Sequence, residues 1–190
     1  MIQKYSLAIQ PNEPVLSMVT EMKQLLNHKI GHYGSVNSLA HISLFEFELE
    51  EEKRYPIVLS YCKRIIAGLA PFYITFKGFG HFTNPTKKFT YYVKVEESVK
   101  EIVSYCKQIK KGSPYTLIDK YKTPHMSIGR KLTQEKLGIA SALLTDFYAT
   151  DFCETFVIRK FNNQRGQYDI EEVIPLLNDK QGSSTQLNLF

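Results

Sequence analysis

One tetrapeptide occurs twice in this chain, as His41-Ile42-Ser43-Leu44 and as His125-Met126-Ser127-Ile128. Each copy reads histidine, apolar, serine, aliphatic, which is the two-residue alternation of a β-strand. Around the first copy, His41, Ser43, Phe45 and Phe47 fall on one face, and Ile42, Leu44 and Glu46 on the other. Histidine and serine therefore share a face, while the residue between them turns toward the core. The copies also stand at matched places. The interval from Tyr5 to His41 equals that from Phe89 to His125, and the interval from His41 to Phe72 equals that from His125 to Phe156.

The periodicities between these landmarks repeat as well. Strands are expected over 4–10, 39–49 and 72–77, with helices over 15–27 and 50–68. A second round follows: strands over 88–95, 124–128 and 152–160, with helices over 98–110 and 133–144, the latter capped by Thr133. One last strand is expected within 166–174. Each half thus reads strand, helix, His-bearing strand, helix, strand, the footprint of an internal duplication. A two-fold pairing of such halves faces His41 and His125 across a groove.

Two imidazoles over a groove suit acid–base chemistry. An unperturbed histidine titrates at about 6.5, so near neutral pH one ring can be protonated while another is not. One would take a proton from water and the other would return one to a departing ribose oxygen. Each role is worth about 10²–10⁴ in rate. The Ser43 and Ser127 hydroxyls would donate hydrogen bonds to non-bridging phosphate oxygens. The scheme needs no metal. A single histidine–serine strand is ordinary; two copies at equivalent points, using two of the five histidines, are not.

Composition narrows the setting. The chain has 190 residues, enough for one domain or two intimate lobes. The net charge of +5 favours an anionic group in a cleft over wholesale coating of DNA. Cys62, Cys106 and Cys153 form no close pair and read as free thiols in a reducing compartment. The opening residues show no secretory signal, and no stretch is apolar enough to span a membrane, so the expected location is cytoplasmic. Among lesser candidates, Tyr5 and Tyr91 or Tyr92 could stack on a base, and Arg165 could reach a phosphate. His28 and His32 are spaced like metal ligands but lack a third partner, so no metal or cofactor is expected.

The paired motif resembles that of the 2H phosphoesterase superfamily, in particular its 2′-5′ RNA ligase-like branch. The resemblance includes Thr123-Pro124 before the second motif, the run Ile74-Thr75-Phe76-Lys77-Gly78-Phe79-Gly80-His81-Phe82, and the opening Tyr5-Ser6-Leu7-Ala8-Ile9 with Pro11 and Pro14 behind it. It covers about residues 1–175. It implies a bilobal α+β fold, with two mostly antiparallel sheets around a central cleft and helices outside. It implies opening of 2′,3′-cyclic phosphates, cleavage of 2′-5′ linkages or the reverse ligation, on RNA ends or nucleotides. His41 with Ser43 and His125 with Ser127 match the motif position by position, with Ser where Thr is commoner. Arg130 matches an arginine that lies near substrate in some members. Which histidine is acid and which is base stays open. So does a rival reading, a non-catalytic RNA or nucleotide-binding module.

The domain is expected over residues 1–178, with a flexible tail over 179–190. That tail ends in Gln186-Leu187-Asn188-Leu189-Phe190, which resembles the peptide by which bacterial repair proteins dock on the sliding clamp. A repair accessory tethered in this way is the third reading.

Overall fold

A computed structural model describes residues 2–119 and 123–179. The C-terminal Gln186, Leu187, Leu189 and Phe190 lie outside the described residues.

The described residues form nine strands and four α-helices. They run β1 (Gln3–Ile9), α1 (Val15–Ile30), β2 (Ile42–Leu49), α2 (Tyr55–Ala67), β3 (Phe72–Thr83), β4 (Phe89–Val95), α3 (Val99–Lys110), β5 (Thr116–Asp119), β6 (His125–Leu132), α4 (Gln134–Leu143), β7 (Tyr148–Cys153), β8 (Thr155–Asn162) and β9 (Gln167–Pro175). A 3₁₀ turn at Glu52–Arg54 leads into α2. Local signals set the helix ends. Gly31, at φ 71°, stops α1, and the Thr133 hydroxyl accepts from the Lys136 amide to start α4.

All strand pairings among the described residues are antiparallel, in the order β7-β3-β4-β6-β2-β1-β8-β9, with β5 attached to β2. The two expected sheets are thus halves of one ladder, and they meet at a single registered pair, Ile42 with Met126. Away from that pair β2 and β6 diverge, and each joins its own half. Read outward, each His-bearing strand is flanked by the first strand of its own half, β1 or β4. Beyond it lies the third strand of the opposite half, β8 or β3.

The expected strand over 152–160 is split at Glu154. Cys153 pairs with Phe72 at one end of the order, and Thr155 pairs with Pro175 at the other. Neighbours in sequence can lie at opposite ends of a sheet only if the sheet curls, so this crossing closes the fold behind the cleft. Helices α1 and α4 back the β4–β6 half, while α3 and α2 back β2 and β9. Beyond β9 the chain returns to α2, with the Leu177 and Asp179 amides donating to the Ala67 carbonyl. No helix among the described residues is long and apolar enough to cross a membrane.

Bulges decide which side chains reach the cleft. The β1–β2 register slips between Leu7 and Ala8, so that Ser43 faces Ala8 but Phe45 faces Leu7. The extra residue on β2 inverts the alternation beyond it. Phe45 and Phe47 consequently pack in the core, and Glu46 turns to the cleft, opposite to the plain alternation. Register slips beside Tyr91 and Tyr92 do the same on β6, and Arg130 joins His125 and Ser127 on the cleft face.

Tyr5, a candidate base contact, is a core residue instead. It is 1% exposed and its ring stacks between Phe47 at 5.3 Å and Tyr55 at 5.1 Å. Tyr91 is buried too, with its hydroxyl donating to the Leu144 carbonyl. For the Tyr5→Ala variant we expect a loss of about 3–5 kcal/mol in urea unfolding, the range for truncating a buried aromatic. A residue in the cleft would instead change KM with little loss of stability.

Candidate active site

The Ile42–Met126 pair sets the geometry. In antiparallel register around it, His41 lies across from Ser127, and Ser43 lies across from His125. The two imidazoles sit on a diagonal about that pair, on strands that diverge beyond it. Ile42 and Met126 are fully buried behind them, so both histidines and both serines face the same side.

Each ring is held in the same way. His41 Nδ1 lies 2.7 Å from the Leu39 carbonyl oxygen, and His125 Nδ1 lies 2.9 Å from that of Thr123. A carbonyl can only accept, so Nδ1 carries the hydrogen, and in the neutral ring Nε2 is left with a lone pair. Both Nε2 atoms are therefore the reactive ones. Neither serine hydroxyl has a hydrogen-bond partner among the described residues.

Electrostatics separate the two histidines. Burial pushes His41 well below its ordinary value, and the Arg159, Lys23 and Arg130 cations push it further, against the opposing bond to Leu39. Burial also lowers His125, helped by Arg130 and opposed by the bond to Thr123. Both rings are neutral near pH 7 in the unliganded cleft, His41 the more firmly.

The cavity on the His41 side measures about 390 Å³. Ser43, Glu46, Arg130 and Arg159 line it with His41. Arg159 is the residue that the sequence did not single out. It is 6% exposed, and its Nε and Nη2 donate to Ser6 Oγ at 3.1 and 2.9 Å. Its guanidinium carbon lies 5.3 Å from the Tyr168 ring, whose hydroxyl bonds Glu46. Glu46 had a legible signal: it follows His41 at the interval by which Arg130 follows His125.

On the other side, the Tyr92 ring stacks on Phe82 at 4.3 Å, and His125 lies 5.0 Å from Tyr92. Tyr92 reaches this position across Gly80, where an added Cβ would fall 2.7 Å from the tyrosine hydroxyl. Of the candidate contacts, Tyr92 and Arg130 come to the site. Arg165 does not: it forms an exposed ion pair with Asp169 in the β8–β9 turn. No group of three or more metal-ligating side chains occurs among the described residues.

Behind the cleft, Lys23 on α1 is 2% exposed and donates to the Ser38 carbonyl, tying down the segment that leads to His41. Burial, with the Arg159 charge, lowers its pKa to about 8. Folding thus releases a proton between pH 8 and the ordinary lysine value, and stability rises with pH across that window. Relative to Lys23→Met, the wild type should gain up to about 3 kcal/mol between pH 8 and 10.5 in urea melts. Parallel pH curves would place the Lys23 ammonium in water.

The family model of the 2'-5' RNA ligase superfamily matches residues 11–162. Among solved structures, TT0787 of Thermus thermophilus superposes with a TM-score of 0.69 at 16% identity, over 93% of this chain and 99% of that one. LigT of E. coli complexed with 3'-AMP gives 0.65 at 12% identity, over 93% and 99%. Usb1 of Kluyveromyces marxianus gives 0.56 at 11% identity, over 91% and 98%. A search of curated proteins returned no match.

Proposed function

This chain belongs to the 2'-5' RNA ligase superfamily, and from that premise we propose that it is a metal-independent phosphoesterase that opens 2′,3′-cyclic phosphates on RNA ends or nucleotides. One observation carries the reading. Both histidines are held through Nδ1 by the carbonyl two residues earlier, on strands matched at Ile42–Met126, and so present Nε2 on the same side of the sheet. The E. coli protein of the same fold is complexed with 3'-AMP, a nucleotide of the kind that ring opening leaves behind.

In the ring-opening step, water attacks phosphorus and gives its proton to His41 Nε2, while the bond from phosphorus to one ribose oxygen breaks. That oxygen takes the proton from His125 Nε2. Entering and leaving oxygens are in line, which requires base and acid on opposite sides of the phosphate. Ser43, Ser127 and Arg130 would hold the non-bridging oxygens, where charge concentrates. His41 is assigned as base because it stays neutral to lower pH. His125, less depressed, regains its proton as the phosphate brings negative charge beside it. The 2′-5′ linkage, cut or joined, presents the same atoms to the same groups.

With a 2′,3′-cyclic mononucleotide in EDTA, His41→Ala and His125→Ala should each lower kcat by about 10²–10⁴ with the fold intact by circular dichroism. Tight binding by the wild type with no product would instead identify a non-catalytic nucleotide-binding module.

The pH profile is a second check. The base limb of kcat/KM falls as pH drops through the depressed value of His41, and the acid limb falls as pH rises through that of His125. Both values lie under 6.5, so the optimum of kcat/KM belongs on the acidic side of pH 6.5, with kcat persisting to higher pH. A kcat/KM optimum above about pH 7.5 would refute the assignment.

A further inference from the structure

The face that carries His125 continues past β4 to the end of the sheet. His125 stands across the β6–β4 ladder from Lys94, and Lys77 stands across the β3–β7 ladder from Tyr148. Lys94 joins the two pairs. A Cβ added to Gly78 would lie 3.6 Å from its Cε and 3.8 Å from its Nζ, so the lysine side chain reaches over β3. Gly78, at φ 63°, sits in the slip of the β3–β4 register between Phe76 and Phe79. The strand neighbours Phe76, Val93, Met126 and Phe147 are buried, so His125, Lys94, Lys77 and Tyr148 share the opposite face. A transverse row thus runs from His125 to β7, an outermost strand of the sheet.

Beyond His125 that row reads cation, cation, aromatic. Lys77 and Lys94 are exposed and enter no salt bridge among the described residues. Tyr148 is 65% exposed. Ammonium groups for phosphates and an open ring for a base are the two elements that hold single-stranded nucleic acid. Three strand spacings are roughly 14 Å of backbone, a span for several nucleotides rather than for one. The path also has a border. Toward the start of β3 the Tyr73 and Phe152 rings meet at 4.8 Å, but there Glu97 accepts from Thr75 Oγ1 at 2.9 Å, and a carboxylate repels phosphate. We propose that RNA on the 5′ side of the reacting end leaves the cleft over this face as a single strand, with Lys94 and Lys77 on its phosphates and Tyr148 under a base. The inference rests on the phosphoesterase reading above for which end of the RNA enters the cleft. It specifies the substrate as the 3′ terminus of a strand, in preference to a free nucleotide.

The test compares kcat/KM for adenosine 2′,3′-cyclic phosphate with that for a short unpaired oligonucleotide ending in the same cyclic phosphate. The wild type should prefer the oligonucleotide by about tenfold or more at low salt. Tyr148→Ala should cost at least about fivefold on the oligonucleotide and nothing on the mononucleotide. Lys77→Gln should do likewise, and should lower the salt slope of the oligonucleotide reaction by roughly 0.7, the share of one phosphate contact. No preference in the wild type, or a loss in either variant that is equal on both substrates, overturns the proposal. So does an oligonucleotide reaction that neither variant changes. A dimer in solution that Tyr148→Ala dissociates while leaving the RNA kinetics intact would assign the face to a second copy instead. Should the wild type turn over neither substrate, the enzymatic reading fails on its own. The path is then tested by fluorescence anisotropy with the same oligonucleotide ending in a 3′-phosphate. Weaker binding in both variants supports it, and unchanged affinities end it.

Discussion

The contact between Ile42 and Met126 is the joint on which the molecule depends. It is the one registered pair between β2 and β6 among the described residues, and hence the link between two four-stranded runs of the sheet. Because both side chains are fully buried beneath it, their neighbours have no choice of face. Two histidines and two serines are turned together to one side by the packing of two apolar residues on the other. A slip of one residue would send both imidazoles into the core, where an unpaired polar ring is costly. The core thus enforces the register, and the register builds the site.

What the sequence disclosed follows from what repeats locally. His41, His125, Ser43 and Ser127 were legible because a tetrapeptide carries its own alternation and because two copies stood at equal intervals. Arg130 came through a family resemblance. Plain alternation counted from His125 would put it on the wrong face. Its place in the cleft, and that of Glu46, depends on bulges, and a bulge is a matter of pairing between strands that no single strand reveals. Tyr5 was misread for a related reason: an aromatic on a first strand looks alike whether it meets solvent or a sandwich of Phe47 and Tyr55. The break at Glu154 and the short β5 were invisible because only distant partners define them. Arg159 and Lys23 were missed because burial of a charged side chain is a tertiary fact, contrary to the habit of those residues.

These two buried cations bear on catalysis together with Arg130. Each depresses His41, which leaves a neutral imidazole beside concentrated positive charge. Such an arrangement costs stability, and it persists only because Ser6, the Ser38 carbonyl and the packed strands hold it. Its value lies in what a phosphate does on arrival. In the proposed mechanism the anion offsets the cations without any group having to move, and it restores the proton affinity of His125, the ring assigned as acid. Charge placed in advance of the ligand is what makes such stabilisation effective in a water-poor site.

The symmetric order of strands and the asymmetric lining of the cleft then serve different ends. The proposed mechanism needs acid and base on opposite sides of one phosphorus atom, and the two histidines come to it from matched strands. A nucleotide has no such symmetry: one end is flat and apolar, the other anionic. The five-residue step from histidine ends in Glu46 on one strand and in Arg130 on the other. β3 and β4 bring Phe82 and Tyr92, where β8 and β1 bring Arg159 and Lys4. What the halves share is the paired histidines and serines, and where they differ is in the lining around them.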